Sequence, residues 1–431
     1  MSLMKIDDLF HFEKGILQSS KCTEGEFDFI TASSEWKKHN EYTHDCEALV
    51  FAAAASGSLG RTHYVNGKFI SSDLCFIITA KDPIKLPIDL KFYHMIFNEF
   101  KNDIVNSTKA GTSKEAIGMK AFGNYKLPYF AINKQIDTKV QFVNMQDSKV
   151  ELNVELTHQL NLIKQMRQAF LREAMQGKLV KSTNTKETGL QLLAKIKAEK
   201  AQLITEKKLK KEKELAPISE DEIPFEIPEN WAWCRLGDLI FSMTNGIYKE
   251  EKYYNDDGIG CFRMYNIKDG VLNYEKLKRM ILTDVELKTF SLESNDMLLN
   301  RVNSVELLGK AALVKDITEN YVFESKNIRV RFFKKESIAP FINYLFQTNV
   351  IKDQILKAFT KVTGQASISQ EKLSPLVIIL PPLHEQEQIV AKLEELMAFC
   401  DVLEQSIKES QGYNEKLLQQ VLREALQGKE V

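Results

Sequence analysis

The sequence predicts a mixed α/β protein built by duplication, in which two strand-rich α/β domains alternate with two long helices. Three observations carry this. The ten prolines fall at 83, 87, 128, 217, 224, 228, 340, 375, 381 and 382, leaving 129–216 and 383–431 free of the residue that breaks helices. In both gaps apolar residues recur at the 4-3 spacing of a heptad seam. The two seams also coincide when one is shifted by 251 residues, and FLREAMQGKLV at 170–180 then matches VLREALQGKEV at 421–431. At 431 residues, 44% hydrophobic and 27% charged, the chain has material for roughly two to four domains, each with its own core.

Residues 1–132 form the first predicted domain. Short apolar runs such as LCFIIT lie between Gly, Asn and Asp turns, as strands do. Residues 133–228 are a helical spacer and linker. Its seam runs through Phe142, Met145, Lys149, Leu152, Leu156, Gln159, Ile163, Met166 and Phe170, with Gly177 where a C-cap belongs. After the polar stretch KSTNTKET, a second helix is expected from LQLLAKIKAEKAQLI through a basic tail, KKLKKEKE, until Pro217, Pro224 and Pro228 break it. Residues 229–382 form the second domain, with NIRVRF and LVIIL as strands. Residues 383–431 are the distal helix, whose seam comprises Ile389, Leu393, Leu396, Cys400, Leu403, Ile407, Leu417 and Val421. Polar Ser410 and Asn414 interrupt it, as residues that fix register do. Each helix of about 45 residues would be ~65 Å long. The central segment 133–216 carries 17 Lys+Arg against 10 Asp+Glu and the distal one 5 against 10, so charge favours their packing together.

The domains repeat each other as well. GSLGRTHYV followed by FISSDLCFIIT parallels ELLGKAALV followed by FESKNIRVRF, with Gly60 facing Gly309. KGI at 14–16 parallels NGI at 245–247, KAGTSKEAI at 109–117 parallels KVTGQASI at 361–368, and AINKQ at 131–135 faces PLHEQ at 382–386.

Enzyme motifs are missing from the sequence. It has no phosphate-binding G-x-x-x-x-G-K-[ST], no G-x-G-x-x-G after a strand, no H-E-x-x-H and no N-P-P-[YF] or D-P-P-[YF] tetrapeptide. Seven scattered histidines and six distant cysteines without a C-x-x-C pair suggest neither a catalytic base nor a metal site. Reduced thiols, the lack of a signal-peptide start and the lack of an ~18-residue apolar run lead us to expect a cytoplasmic, non-catalytic protein.

The duplicated loops instead carry donors and cations. They are Lys14, Ser56, Ser58, Arg61, Lys109 and Thr112 in the first domain. In the second they are Asn245, Tyr248, Lys249, Arg263, Asn266, Arg301, Asn303, Lys361, Thr363 and Gln365. Arg and Asn can read base edges bidentately, while Lys and hydroxyl groups reach phosphates. The same composition also suits ordinary polar turns, and both readings stand at this point.

From Leu171 to Asp238, the stretches LREAMQGKLV, LLAKIKAEKAQLI, PISEDEIPFEIPENWAW and RLGDL resemble the central region of specificity subunits of type I restriction-modification systems. LPPLHEQEQIVAKLEEL and LREALQGK are similar to that family's second spacer helix, and GQASI to the end of a target recognition domain. The resemblance implies two target recognition domains held apart by two antiparallel coiled-coil helices with pseudo-two-fold symmetry, each domain reading half of a bipartite site in double-stranded DNA. It further implies that the chain has no cofactor of its own. Two methyltransferase subunits would bring S-adenosylmethionine, and motor-nuclease restriction subunits would bring ATP and Mg2+. A spacer of fixed length would make the half-site separation, roughly 34 Å for one helical turn, part of specificity. The alternative is a coiled-coil scaffold without DNA specificity. The first repeat departs from the family pattern at KIDDL, where the second has RLGDL, and at AINKQ in place of PLHEQ.

Overall fold

The structure is a computed structural model describing residues 2–54, 57–110, 115–181, 187–362 and 365–427; within these, the side chains of 360–362, 365, 415, 418, 419 and 421–427 are not described. Two compact units emerge, 1–159 with 407–431 and 160–406.

In the first unit a six-stranded sheet has the order Phe10–Lys14, Cys75–Ala80, His44–Ala52, Thr62–Ser71, Phe27–Ile30, Lys37–His39. All neighbours are antiparallel except Phe27–Ile30 with Thr62–Ser71. Helices Leu90–Glu99, Lys101–Thr108 and Met119–Asn124 accompany the sheet. The core is aromatic, with Phe51 and Phe122 ring centroids 4.7 Å apart and Phe10 edge-on to Tyr93 at 5.1 Å. Such pairs contribute about 0.5–1.5 kcal/mol beyond area burial.

In the second unit the six-stranded sheet runs Ile240–Asn245, Asn327–Phe332, Met297–Asn300, Ala311–Leu313, Gly270–Leu272, Ile267–Lys268. A three-stranded sheet sets Tyr254–Phe262 between Lys278–Met280 and Tyr321–Phe323, the last pairing being parallel. One apolar core joins Leu299, Ile328 and Phe341 to Leu171, Met175 and Ile196 of the spacer and Ile389 and Leu393 of the distal helix.

The duplication holds at the level of single backbone hydrogen bonds. Gly15 N–H donates to the Cys75 carbonyl and Gly246 to that of Asn327; Gly60 donates to Ala52 and Gly309 to Asn300; Ile117 donates to Ala53 and Ile368 to Arg301. Gly60 and Gly309 both have left-handed φ, 81° and 76°, which favours glycine. Each domain is closed by one two-stranded clamp, Ser2–Lys5 with Lys126–Tyr129 and Ala232–Arg235 with Val377–Leu380. The paired AINKQ and PLHEQ motifs do the same job. Gln135 and Gln386 are fully buried, and each donates its side-chain amide to the carbonyl five residues back, Phe130 and Pro381, at 2.7 Å.

The long helices run over Ile132–Met175 and Leu383–Gln427. In the second unit Arg167 reaches Asp401 at 2.7 Å and Glu404 at 3.1 Å across them. In the first, Asn414 donates to the Lys149 carbonyl and the Asn153 amide oxygen. Of the seam residues, Leu156, Ile163, Leu393 and Cys400 are buried, and Met166, Phe170, Leu396, Leu403 and Ile407 partly so. Leu152 and Leu417 are corrections, being 46% and 55% exposed. The Asn153 and Asn414 amides bond to each other across the helices beside them, so the seam there is polar and the two leucines face outward. Val421 lies where side chains are not described, and Gly428, expected to cap the distal helix as Gly177 caps the spacer, lies outside the described residues.

Gly177 ends the spacer helix with φ 68°, and a Cβ there would lie 2.3 Å from Pro228 Cγ. The following helix, Gly189–Thr205, stops short of the expected basic tail. Lys207 takes a left-handed φ of 58° and both Lys208 and Leu209 donate back to the Leu203 carbonyl, turning the chain so that Leu209 meets the core.

Candidate nucleic-acid interface

The second domain gathers several of the expected residues around a cleft of about 440 Å³ lined by Ile247, Tyr248, Lys249, Glu251, Tyr254, Arg263, Lys278, Glu324, Ser325 and Lys326. The strand-to-loop turn at Gly246 creates it. A Cβ on Gly246 would lie 2.1 Å from the Glu324 carbonyl oxygen, so only glycine allows this approach. Tyr248 beyond it is 78% exposed. Lys249 pairs with Glu286 at 2.6 Å and lies over the Tyr253 ring at 4.6 Å. Arg263 donates through Nε to Glu324 at 2.8 Å, and its guanidinium sits 5.5 Å from the Tyr265 ring centroid. Burial opposes the charge on Arg263, but the hydrogen bond and charge of Glu324 together with Tyr265 more than offset it and raise the pKa.

Next to the cleft, Arg301 donates its backbone N–H to the Lys326 carbonyl at 2.9 Å and Nη1 to that of Ser325 at 3.4 Å, while its buried Nε has no partner. Asn303 stands opposite Ala366 where Val302–Asn303 pairs with Gln365–Ser367, so the backbone brings Arg301 and Asn303 beside the paired strands Thr360–Val362 and Gln365–Ser367. The Lys361 and Gln365 side chains are not described, and Thr363 lies outside the described residues.

Other expected residues serve the fold. Asn266 is buried, accepting from Arg263 N–H at 2.9 Å and donating to the Asn273 carbonyl at 3.2 Å. The Asn303 side chain accepts from Ser304 N–H at 2.9 Å, and Asn245 accepts from Gln370 at 3.0 Å.

In the first domain Arg61 donates Nη1 to the Ala32 carbonyl at 3.1 Å and to Ser58 Oγ at 3.4 Å, bringing these two expected residues together. Lys109 pairs with Glu115 at 2.8 Å across the Lys109–Ala110 and Ala116–Ile117 hairpin, and Lys14 ends its strand exposed. Ser56 and Thr112 lie outside the described residues. Trp36, which was not among the expected residues, donates its indole N–H to His63 Nδ1 at 3.3 Å while His63 Nε2 faces the Ser33 carbonyl at 2.9 Å. Burial lowers the His63 pKa, in keeping with a neutral ring that accepts from the indole.

With Gly60 matching Gly309, Arg61 matches Lys310, and the shared bonding of Ala53 and Arg301 makes Ala53 the counterpart of Arg301. Register rather than residue type sets the match, so Arg61 and Arg301 occupy different places. Glu324, Lys326, Lys278 and Tyr265 were missed because nothing in their own spacing marks them. The available signal was that Ser72 in the first repeat stands where Glu324 stands in the second.

These features define a duplicated α/β protein joined by long helices, with charged and aromatic groups collected at loop ends. The family described as the type I restriction modification DNA specificity domain matches residues 1–161 and 228–410, and the chain belongs to that family. Among curated relatives, the EcoEI specificity subunit of Escherichia coli is 29% identical over 252 residues, 57% of this chain and 42% of that protein. The EcoAI specificity subunit of Escherichia coli is 30% identical over 247 residues, 56% of this chain and 41% of that protein. The matches thus span less than half the length of either relative. The crystal structure of the HsdS subunit from Thermoanaerobacter tengcongensis shares the fold, with a TM-score of 0.58 at 15% identity over 100% of this chain and 97% of that one. The mixed α/β architecture with long helices is therefore the family fold, as the sequence led us to expect. Among the described residues, no helix is long and apolar enough to cross a membrane.

Proposed function

We propose that the chain is the DNA-specificity subunit of a type I restriction-modification complex, reading one half of a bipartite duplex target with each domain. The observation that carries this is the duplication itself: two frameworks share a set of corresponding backbone hydrogen bonds, yet present different side chains at matching loop ends. Equal scaffolds with unequal tips suit two readers of two different half-sites. The chain contributes target choice; two methyltransferase subunits carry S-adenosylmethionine and modify adenine, and restriction subunits bring ATP and Mg2+. Ile136, Val140, Val143, Val150 and Val154 support such partners, since they form an exposed apolar stripe at heptad spacing on the central helix. The work of the complex lies in the cytoplasm, on chromosomal or invading DNA.

Adenine methylation mapped across a genome with and without this chain tests the reading. A bipartite, fixed-spacing motif should vanish with the chain, and purified chain with S-adenosylmethionine should transfer nothing. Methyl transfer by the isolated chain, or an unchanged methylation map, sinks the proposal. Partner binding without any sequence preference would leave the scaffold alternative instead.

A further inference from the structure

Resting on that reading, we infer that Arg263 is a base-reading residue of the second domain and that Glu324 is its positioning residue. The loop carrying Arg263 is held from every side. Asn266 Oδ1 accepts from Arg263 N–H at 2.9 Å, and Glu324 Oε1 accepts from Met264 N–H at 3.0 Å. Fully buried Asn300 and Asn327 donate to the Met264 and Phe262 carbonyls at 3.3 and 3.2 Å, and the Glu324 backbone N–H donates to Phe262 as well. The side chain is fixed too. Glu324, its carboxylate 9% exposed, takes Nε at 2.8 Å, and the Tyr265 ring lies against the guanidinium. With Nε taken by Glu324 and a further hydrogen bond running to Tyr265, the rest of the guanidinium stands at the cleft it shares with Lys278 and Lys326. A guanidinium fork matches the O6 and N7 acceptors of guanine in the major groove. Preorganisation of this kind removes the ordering cost a free arginine would meet on binding.

The fold does not require this charged set. The first domain makes the same backbone bonds with Thr31 where the second has Arg263, and with Ala52, Ser72, Leu74 and Cys75 where the second has Asn300, Glu324, Lys326 and Asn327. A purely structural ion pair serving the strands that the two domains share would be expected in both copies. A phosphate can accept from the same fork, so the response of all sequences together, against that of one base pair, is what separates the two contacts.

The test uses the complete complex with its methyltransferase subunits on a randomised target library, at several salt concentrations, with assembly and melting temperature followed for each variant. Arg263→Lys keeps the charge and loses the fork. It should relax preference at one base pair of one half-site by roughly 5- to 150-fold, leaving the other half-site and the spacer unchanged. Glu324→Gln should relax the same base pair with Arg263 still present, and the double variant should be no more relaxed than Arg263→Lys alone. If Arg263→Ala weakens all sequences alike while Arg263→Lys behaves as wild type, Arg263 contacts a phosphate and the inference is overturned. It is equally overturned by an unchanged preference in Arg263→Lys, which decides the matter alone should the alanine variant fail to assemble. A Glu324→Gln effect that is absent, or that adds to Arg263→Lys, removes Glu324 from the positioning role. Failure of the underlying reading looks different, because the wild-type complex itself would then show no preference.

Discussion

Replacing Arg235 should detach the linker that enters the second domain. Arg235 is 6% exposed, and all of its guanidinium N–H groups are engaged. Nε donates to the Ala216 carbonyl at 3.0 Å, Nη1 to Glu222 at 2.7 Å and the Pro375 carbonyl at 2.8 Å, and Nη2 to the Pro217 carbonyl at 2.9 Å and Glu222 at 2.8 Å. One side chain at the end of clamp strand Ala232–Arg235 thus ties the linker to Pro375, just before the partner strand Val377–Leu380. Removing one partner of a buried, bidentate pair costs about 3–5 kcal/mol. Ala216, Pro217 and Glu222 can regain water once the linker lifts, so the lower end, ~3 kcal/mol, is the expectation for Arg235→Ala. Lysine offers three donors for five acceptors, and Arg235→Lys should lose about half as much. A chain of several domains need not unfold in two states, so a global midpoint is the wrong measure. Amide hydrogen exchange at 218–223 and tryptic cleavage near Lys208–Lys213 report local opening, which ~3 kcal/mol should accelerate by roughly a hundredfold. Wild-type protection in Arg235→Ala would refute the account, because the linker would then be held by something other than this side chain.

Two further outcomes follow from the same geometry. Hydrogen bonds from Arg235 and Ser219 hold the Glu222 carboxyl down at about 2, below its ordinary value of 4.5, so its contribution is fully present above pH 4.5 and fades as pH falls toward 2. Protection of the linker amides relative to their intrinsic exchange should therefore fall over that interval in wild type and stay nearly flat in Glu222→Gln; equal pH dependence in both would count against the pair. Gly246→Ala drives a Cβ against the Glu324 carbonyl, and Gly15→Ala drives one to 2.2 Å from that of Ser72. Each should cost about 1–3 kcal/mol in chemical denaturation and impair methylation at a different half-site, whereas impairment of the same half-site by both would contradict two separate readers.

What could be read from sequence divides along a physical line. Helices and strands follow from period and from proline, which act locally, so the long helices, the Gly177 cap and the paired domains were legible in advance. The basic tail after Thr205 was not, because Lys207 leaves the helical region so that Leu209 can reach the core, a tertiary gain that no local propensity contains. The seam failed at Leu152 and Leu417 for a related reason. A heptad count treats leucine as inward by type, but the amides of Asn153 and Asn414 meet across the helices and set the local rotation.

The interface divides differently. Residue type suggested Arg263, Arg301 and Asn266 alike, yet one stands at a cleft on a buried carboxylate, one leaves a buried Nε unpaired and one caps a turn. Nothing in their identity distinguishes these fates. The distinction comes from comparing the two copies by hydrogen-bond register. A position whose backbone bonds are common to both domains is fixed by the fold, and a side chain that differs there is free of that constraint. By this criterion Gly60 and Gly309 belong to the scaffold, while Glu324 against Ser72 and Arg301 against Ala53 do not. A duplicated protein thus contains its own control: the residues that depart from the shared framework are the ones whose presence stability alone does not explain, and in the second domain they converge on the cleft around Arg263.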